Sequence, residues 1–318
     1  MWIGIAVISV CELLLFAVEL PGRNWLRLPI LDAGPVTLAP PDNMLEISTR
    51  WVAMNITPLC WIGYLLLFDG LLTQLSLSRQ RPEISSIRIR PNRFVFAWLT
   101  SIPVWCYFDW VNFYFMRAWS YHGLPEQTWS RYVGYFIAFA AINPGMFLAA
   151  QWFNQLGLRR LRTTGVRIPL VIQIAVLLLG VVFVIYPFVV GNPIGSMTLW
   201  VSLIFLFDPV NHWLGRPSII GDWRAGRWGR TLALMAGGAL CGLCWEFWNY
   251  WAIAKWTYDL PFLGAWQSYR YFEMPWIGFL GFLPFAIECW VILISLEALT
   301  ERLGIRIVEH SDDDETVF

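Results

Sequence analysis

Two stretches decide the architecture of this chain: DWVNFYFMRAWSY, from Asp109 to Tyr121, and EFWNYWAIAKWTY, from Glu246 to Tyr258. At an offset of 137 residues they align Asp109 with Glu246, Asn112 with Asn249, Trp119 with Trp256 and Tyr121 with Tyr258. Upstream, WIGYLLLFDG (Trp61 to Gly70) matches WVSLIFLFDP (Trp200 to Pro209) at an offset of 139, and each is followed by an Arg-Pro pair, Arg81-Pro82 and Arg216-Pro217. Downstream, LGLR at Leu156 to Arg159 matches LGIR at Leu303 to Arg306 at an offset of 147. Three collinear matches predict an internal duplication, which sets the frame for every other feature.

Working outward, both stretches sit in strongly apolar surroundings. Of the 318 residues 58% are hydrophobic and 14% charged, against about 25% charged in soluble domains. The apolar blocks run to about 20 residues or more, the length a helix needs to cross roughly 30 Å of hydrocarbon; alternating segments of about 10 residues, as in a membrane β-barrel, are absent. The class is therefore an all-α integral membrane protein, with the lipid bilayer as its first partner. Eight transmembrane helices are expected, at 2–20, 51–77, 94–117, 132–155, 168–190, 196–213, 231–256 and 276–300. The first lacks a basic leader and a small-residue cleavage site and carries Glu12 and Glu19, so it reads as a retained helix.

Arginines fix the expected orientation. The segments between spans 2 and 3, 4 and 5, and 6 and 7, with Arg302 and Arg306, hold 15 of the 22 basic residues. The positive-inside rule then predicts a multi-pass protein of a bacterial inner membrane with both termini cytoplasmic. With the duplication, this predicts two parallel four-helix repeats, residues 1–165 and 166–304, followed by a disordered acidic cytoplasmic tail, residues 305–318. Equal numbers of acidic and basic residues, 22 each, give no reason to expect nucleic acid.

Ionisable groups at bilayer depth are costly and face a cavity or a partner. Asp109, Glu246 and Glu288 are placed there, Glu273 at the outer rim, and Asn112 and Asn249 three residues beyond the repeated acids, on the same helix face. One reading gathers them into an aromatic pocket between the halves, with Asp109, Glu246 and Glu288 as catalytic acids. Asn112, Asn249, Trp245, Trp248, Tyr250, Trp251 and Glu273 would be its ligand-binding residues. Protonated carboxyls can donate to an apolar substrate and aromatic faces can stabilise a cation. The other reading makes the same groups bridges between helices. At the opposite face Asp208, Asn211, His212 and Arg216 form either a lipid head-group site or an ion-paired loop clamp. Cys241 and Cys244 have the spacing of a redox pair but sit mid-helix among small residues that suit close packing. No HExxH, Walker loop or G-x-S-x-G motif occurs, so no metal site is expected.

Trp245 to Glu288, with WEFWNYWAIAKWTY, FEMP and GFLGFLPFAIE, resembles a group of uncharacterised bacterial polytopic membrane proteins. In layout it is similar to the membrane-type lycopene cyclase domain of carotenoid biosynthesis. The resemblance implies a helical repeat with an acid after a helix-opening tryptophan, matched by Trp245-Glu246, and a Pro-x-Glu-Glu proton donor, for which Glu273 before Pro275 and Glu288 after Pro284 are the nearest groups. The expected function is binding of an apolar isoprenoid-like molecule such as a carotenoid, quinone or prenyl lipid, with acid-initiated cyclisation as its chemistry. Alternatives are a non-catalytic subunit beside other membrane subunits of a photosynthetic or respiratory complex, holding pigment, quinone or lipid, and a proton-coupled transporter. The cofactors these readings allow are a bound carotenoid, a quinone or a chlorophyll-type pigment.

Overall fold

The computed structural model describes residues 1–17, 43–79, 87, 90–308 and 316–318. Most of the proline-rich segment between the first two helices, the Arg81-Pro82 pair and the acidic run itself lie outside the described residues. The chain is an all-α membrane protein: seven of its helices are long and apolar enough to cross a membrane, and a shorter apolar helix precedes them. They are α1 (Trp2–Ala17), α2 (Met44–Arg79), α3 (Pro91–Val111, extended by a wider π turn to Met116), α4 (Thr128–Leu156), α5 (Leu170–Val190), α6 (Ser196–Trp213), α8 (Gly229–Trp251) and α10 (Phe282–Arg302). Short helices α7 (Ile219–Arg224) and α9 (Trp276–Phe279) and strands β1 (Trp119–His122) and β2 (Lys255–Tyr258) join them.

The expected span 7 overran its helix by five residues, while span 3 ends within one residue of its expected bound. Helix α3 ends where Arg117 turns into the left-handed region at φ 56°, and α8 ends at Trp251, where Ala252 becomes extended. Both chains then reverse into β1 and β2, which pair antiparallel as Trp119↔Tyr258, Ser120↔Thr257 and Tyr121↔Trp256. Because Trp119 corresponds to Trp256 and Tyr121 to Tyr258, this register is a local two-fold centred on Ser120 and Thr257.

Corresponding helix pairs pack alike: α1 on α2 as α5 on α6, α2 on α4 as α6 on α10, α3 on α4 as α8 on α10. The contacts between halves differ. Helices α4 and α8 are closely packed, whereas α3 and α10 touch at few places. A glycine permits the tight side: a Cβ on Gly237 would lie 2.7 Å from the Met146 carbonyl oxygen of α4, while Gly238 lets α8 approach α10 within its own half, a Cβ there lying 2.2 Å from the Phe282 carbonyl oxygen. Small residues allow such backbone approach where lipid offers no hydrophobic drive between helices. The loose side leaves a cleft at the hairpin end of the bundle.

At the opposite end the expectation of a disordered tail fails for the last two residues. Val317 and Phe318 are buried, at 0% and 2% exposure. Val317 N donates to Gln151 Oε1 at 2.9 Å and its carbonyl accepts from Trp290 Nε1 at 3.0 Å. The Phe318 ring lies between Phe94, Phe147 and the Arg93 guanidinium, and Arg93 itself forms a buried two-point pair with Glu297. Composition of the acidic run foretold solvation, but the two apolar residues after it wedge between α3, α4 and α10, a gain that depends on a site made by distant segments.

Candidate functional site

Each half builds the same clamp. In the first, Asn112 at the end of α3 accepts from the backbone N–H of Ala118 and Trp119 at 2.8 and 3.1 Å and donates to the Trp119 carbonyl at 2.7 Å. In the second, Asn249 accepts from Trp256 N at 2.9 Å and donates to its carbonyl at 2.8 Å. Alternate backbone groups of a two-stranded ribbon point away from the partner strand, and these carboxamides satisfy them. The acids complete the motif. Asp109 Oδ1 accepts from Trp119 Nε1 at 3.0 Å and from the Tyr121 hydroxyl at 3.1 Å. Glu246 Oε1 accepts from the Tyr258 hydroxyl at 2.7 Å and from Trp256 Nε1 at 3.4 Å. Burial first, then the neighbouring carboxyl, pushes the phenols of Tyr121 and Tyr258 well above the ordinary tyrosine range, so both remain protonated donors.

These indoles and phenols form one wall of a cavity of about 350 Å³ in the cleft. Trp105 and Trp245 continue that wall, Trp200 and Phe285 close the far side, and Phe262, Leu263 and Met274 cover it from the loop after β2. No charged side chain lines it; its polar groups come from Ser196, the tyrosines and the indole edges. The exposed lining residues are Met197, Ile277 and Leu280, all apolar.

Of the acids expected to converge, Asp109 and Glu246 sit immediately behind this wall, each bonded to an aromatic pair facing the cavity. Glu288 is elsewhere: it bridges α10 to α6 by accepting from Leu203 N at 2.8 Å. Glu246 Oε2 and Glu288 Oε2 are buried with no hydrogen-bond partner among the described residues. Glu273 is ion-paired with Lys255, whose ammonium also lies over the Tyr250 ring. Trp245 lines the cavity, but Trp248 packs on Trp61 and Tyr64, and Tyr250 and Trp251 pack on Phe272. Sequence reasoning missed Trp119, Trp256, Tyr121, Tyr258 and Trp200 as lining residues, although all five lie in the repeated stretches that made the duplication visible.

The second constellation is a set of internal ties. Asp208 accepts from Ile219 N and Ile220 N at 2.7 and 2.9 Å, holding the start of α7. Asn211 donates to the Val291 carbonyl at 3.0 Å, His212 meets Ser218 and Arg224, and Arg216 pairs with Glu301. Cys241 Sγ lies 3.2 Å from the Tyr64 hydroxyl. No family model matches the chain, and neither does any curated protein or solved structure.

Proposed function

We propose that the protein binds an apolar, isoprenoid-like molecule in the aromatic cavity, drawn from the bilayer through the opening between Met197, Ile277 and Leu280. The observation that carries this reading is the lining: five indoles, two phenols and aliphatic side chains, with no charge. A volume of about 350 Å³ falls at the small end of ligand pockets, which suits a carotenoid end group, a quinone ring or a short prenyl segment, with any longer chain left in lipid. The arginine bias supports both termini in the cytoplasm and the ribbon at the outer side of a bacterial inner membrane.

One observation favours acid chemistry over storage alone. Tyr121 and Tyr258 face the cavity and bond to Asp109 and Glu246; with the carboxyl protonated and the bond reversed, the phenol gives its proton to an alkene and takes the carboxyl's in its place, leaving a carboxylate. The indole faces around it suit the resulting carbocation. Glu246 with Tyr258 is the stronger donor pair, being the shorter contact, and Asp109 with Tyr121 is its counterpart.

The test is organic extraction of the purified protein followed by mass spectrometry, together with quenching of tryptophan fluorescence by decyl-ubiquinone and by a linear polyene. Bound prenyl species, and quenching lost in Trp200→Ala, are expected. Absence of both from protein purified in mild detergent refutes the reading.

A further inference from the structure

The local two-fold that relates the two clamps also relates two cavities. Trp61 corresponds to Trp200, and beside Trp61 lies a smaller cavity of about 80 Å³, enclosed by α2, α4 and the loop after β1. Tyr121, Trp245 and Trp256 stand in both linings and form a shared wall. The two cavities differ in chemistry. Around the small one lie Asn55, Ser130 and Arg131, so its rim is polar.

Its lining residues carry hydrogen-bonding groups that the described residues leave unanswered. Thr57 is 8% exposed, and its Oγ1 has no hydrogen-bond partner among the described residues. A helical threonine ordinarily turns back to the carbonyl four residues before it, but here the Ala53 carbonyl accepts from Ile253 N at 2.8 Å. One residue on, Pro58 has no N–H, so the Met54 carbonyl lacks its helical donor. Trp245, also in the lining and 7% exposed, has an Nε1–H with no partner among the described residues. One hydroxyl, one carbonyl and one donor N–H are the two to four partners a buried water takes, and the volume is well above the roughly 10–15 Å³ of accessible space that one water needs.

We propose that the small cavity is a water-binding site, holding water on Thr57 Oγ1, the Met54 carbonyl and Trp245 Nε1. It is open to solution at its polar rim and gives the Tyr121 hydroxyl, and through it Asp109, contact with water. It is a polar-rimmed copy of the site whose counterpart is lined by apolar and aromatic residues. The inference stands apart from the ligand reading above, since its test needs only water. On that reading, however, Tyr121 would return protons from solution to the wall of the large cavity.

Gly134 supplies the test. It lines the small cavity, and a Cβ there meets nothing within 4 Å, so Gly134→Leu fills the space while favouring the helix. In nanodiscs moved into D2O, the Trp245 indole N–H, assigned with Trp245→Phe, is followed by nitrogen-15 NMR. Complete exchange within minutes is expected in the parent protein, with exchange slowed at least tenfold in Gly134→Leu. A Trp245 N–H protected for hours in the parent protein, or equal rates in both proteins, overturns the proposal. So does a high-resolution structure in which acyl-chain density rather than water fills the cavity.

Discussion

Replacing Asn249 by alanine tests whether the clamp, rather than the ribbon's own pairing, holds the cavity wall. The side chain is fully buried and makes two hydrogen bonds to the backbone of Trp256, at 2.9 and 2.8 Å. Alanine removes both and leaves an N–H and a carbonyl in a dry site. A stranded buried group costs about 1–3 kcal/mol, so two of them put the loss at about 2–6 kcal/mol. Side-chain bonds between membrane helices average only about 0.6 kcal/mol, which is the value expected if the carboxamide merely packs. Equilibrium unfolding in mixed micelles of rising SDS fraction measures the difference. Asn112→Ala, whose side chain makes three such bonds, should lose at least as much. Since Trp119 and Trp256 are cavity walls, both variants should also weaken quenching by decyl-ubiquinone. A loss below about 1 kcal/mol in both variants refutes the reasoning.

Other outcomes follow from single contacts. Deleting Val317 and Phe318 strips partners from Gln151 and Trp290 and uncovers the apolar slot; thermal unfolding in detergent should shift down by several degrees. Asp222→Ala leaves the buried Arg230 without a carboxylate that pairs with it at 3.0 Å and should cost about 3–5 kcal/mol in the same micelle titration. Glu246→Gln should abolish turnover of a prenyl substrate, whereas Glu288→Gln, which can still accept from Leu203 N, should retain it and change stability by less than about 1 kcal/mol. Equal loss in the two variants would remove Glu246 from the proton-donor role. Tyr258→Phe should keep binding, by fluorescence quenching, while turnover falls; loss of binding would make the hydroxyl a packing contact only.

Linear features could be read without the fold. Runs of apolar residues long enough for a bilayer gave the helices, because hydrocarbon thickness and helix rise are fixed quantities. The spacing of Asp109 to Asn112 and of Glu246 to Asn249 placed acid and amide on one helix face for the same reason. The aligned stretches marked out Trp119, Tyr121, Trp256 and Tyr258 as equivalent pairs, yet gave no hint that they would face one another across a ribbon. The chain reverses at Arg117 and Ala252 because Asn112 and Asn249 capture backbone groups six or seven residues ahead, and helical periodicity carries no signal for that.

Tertiary structure alone decided which of two equivalent faces became the cavity. Helices α4 and α8 close on each other where Gly237 lets backbones meet, while α3 and α10 stay apart, and the opening follows that asymmetry. It also sent Glu288 to a backbone N–H, tied Glu273 to Lys255, and brought Val317 and Phe318 back into the helices from beyond an acidic run. The sequence by itself determined the membrane class, the helices and the repeated acid–amide–indole–phenol set, since these depend on local spacing and solvent. Only the packed chain could decide which acids stand behind the cavity, because that choice rests on close approach between segments more than 100 residues apart.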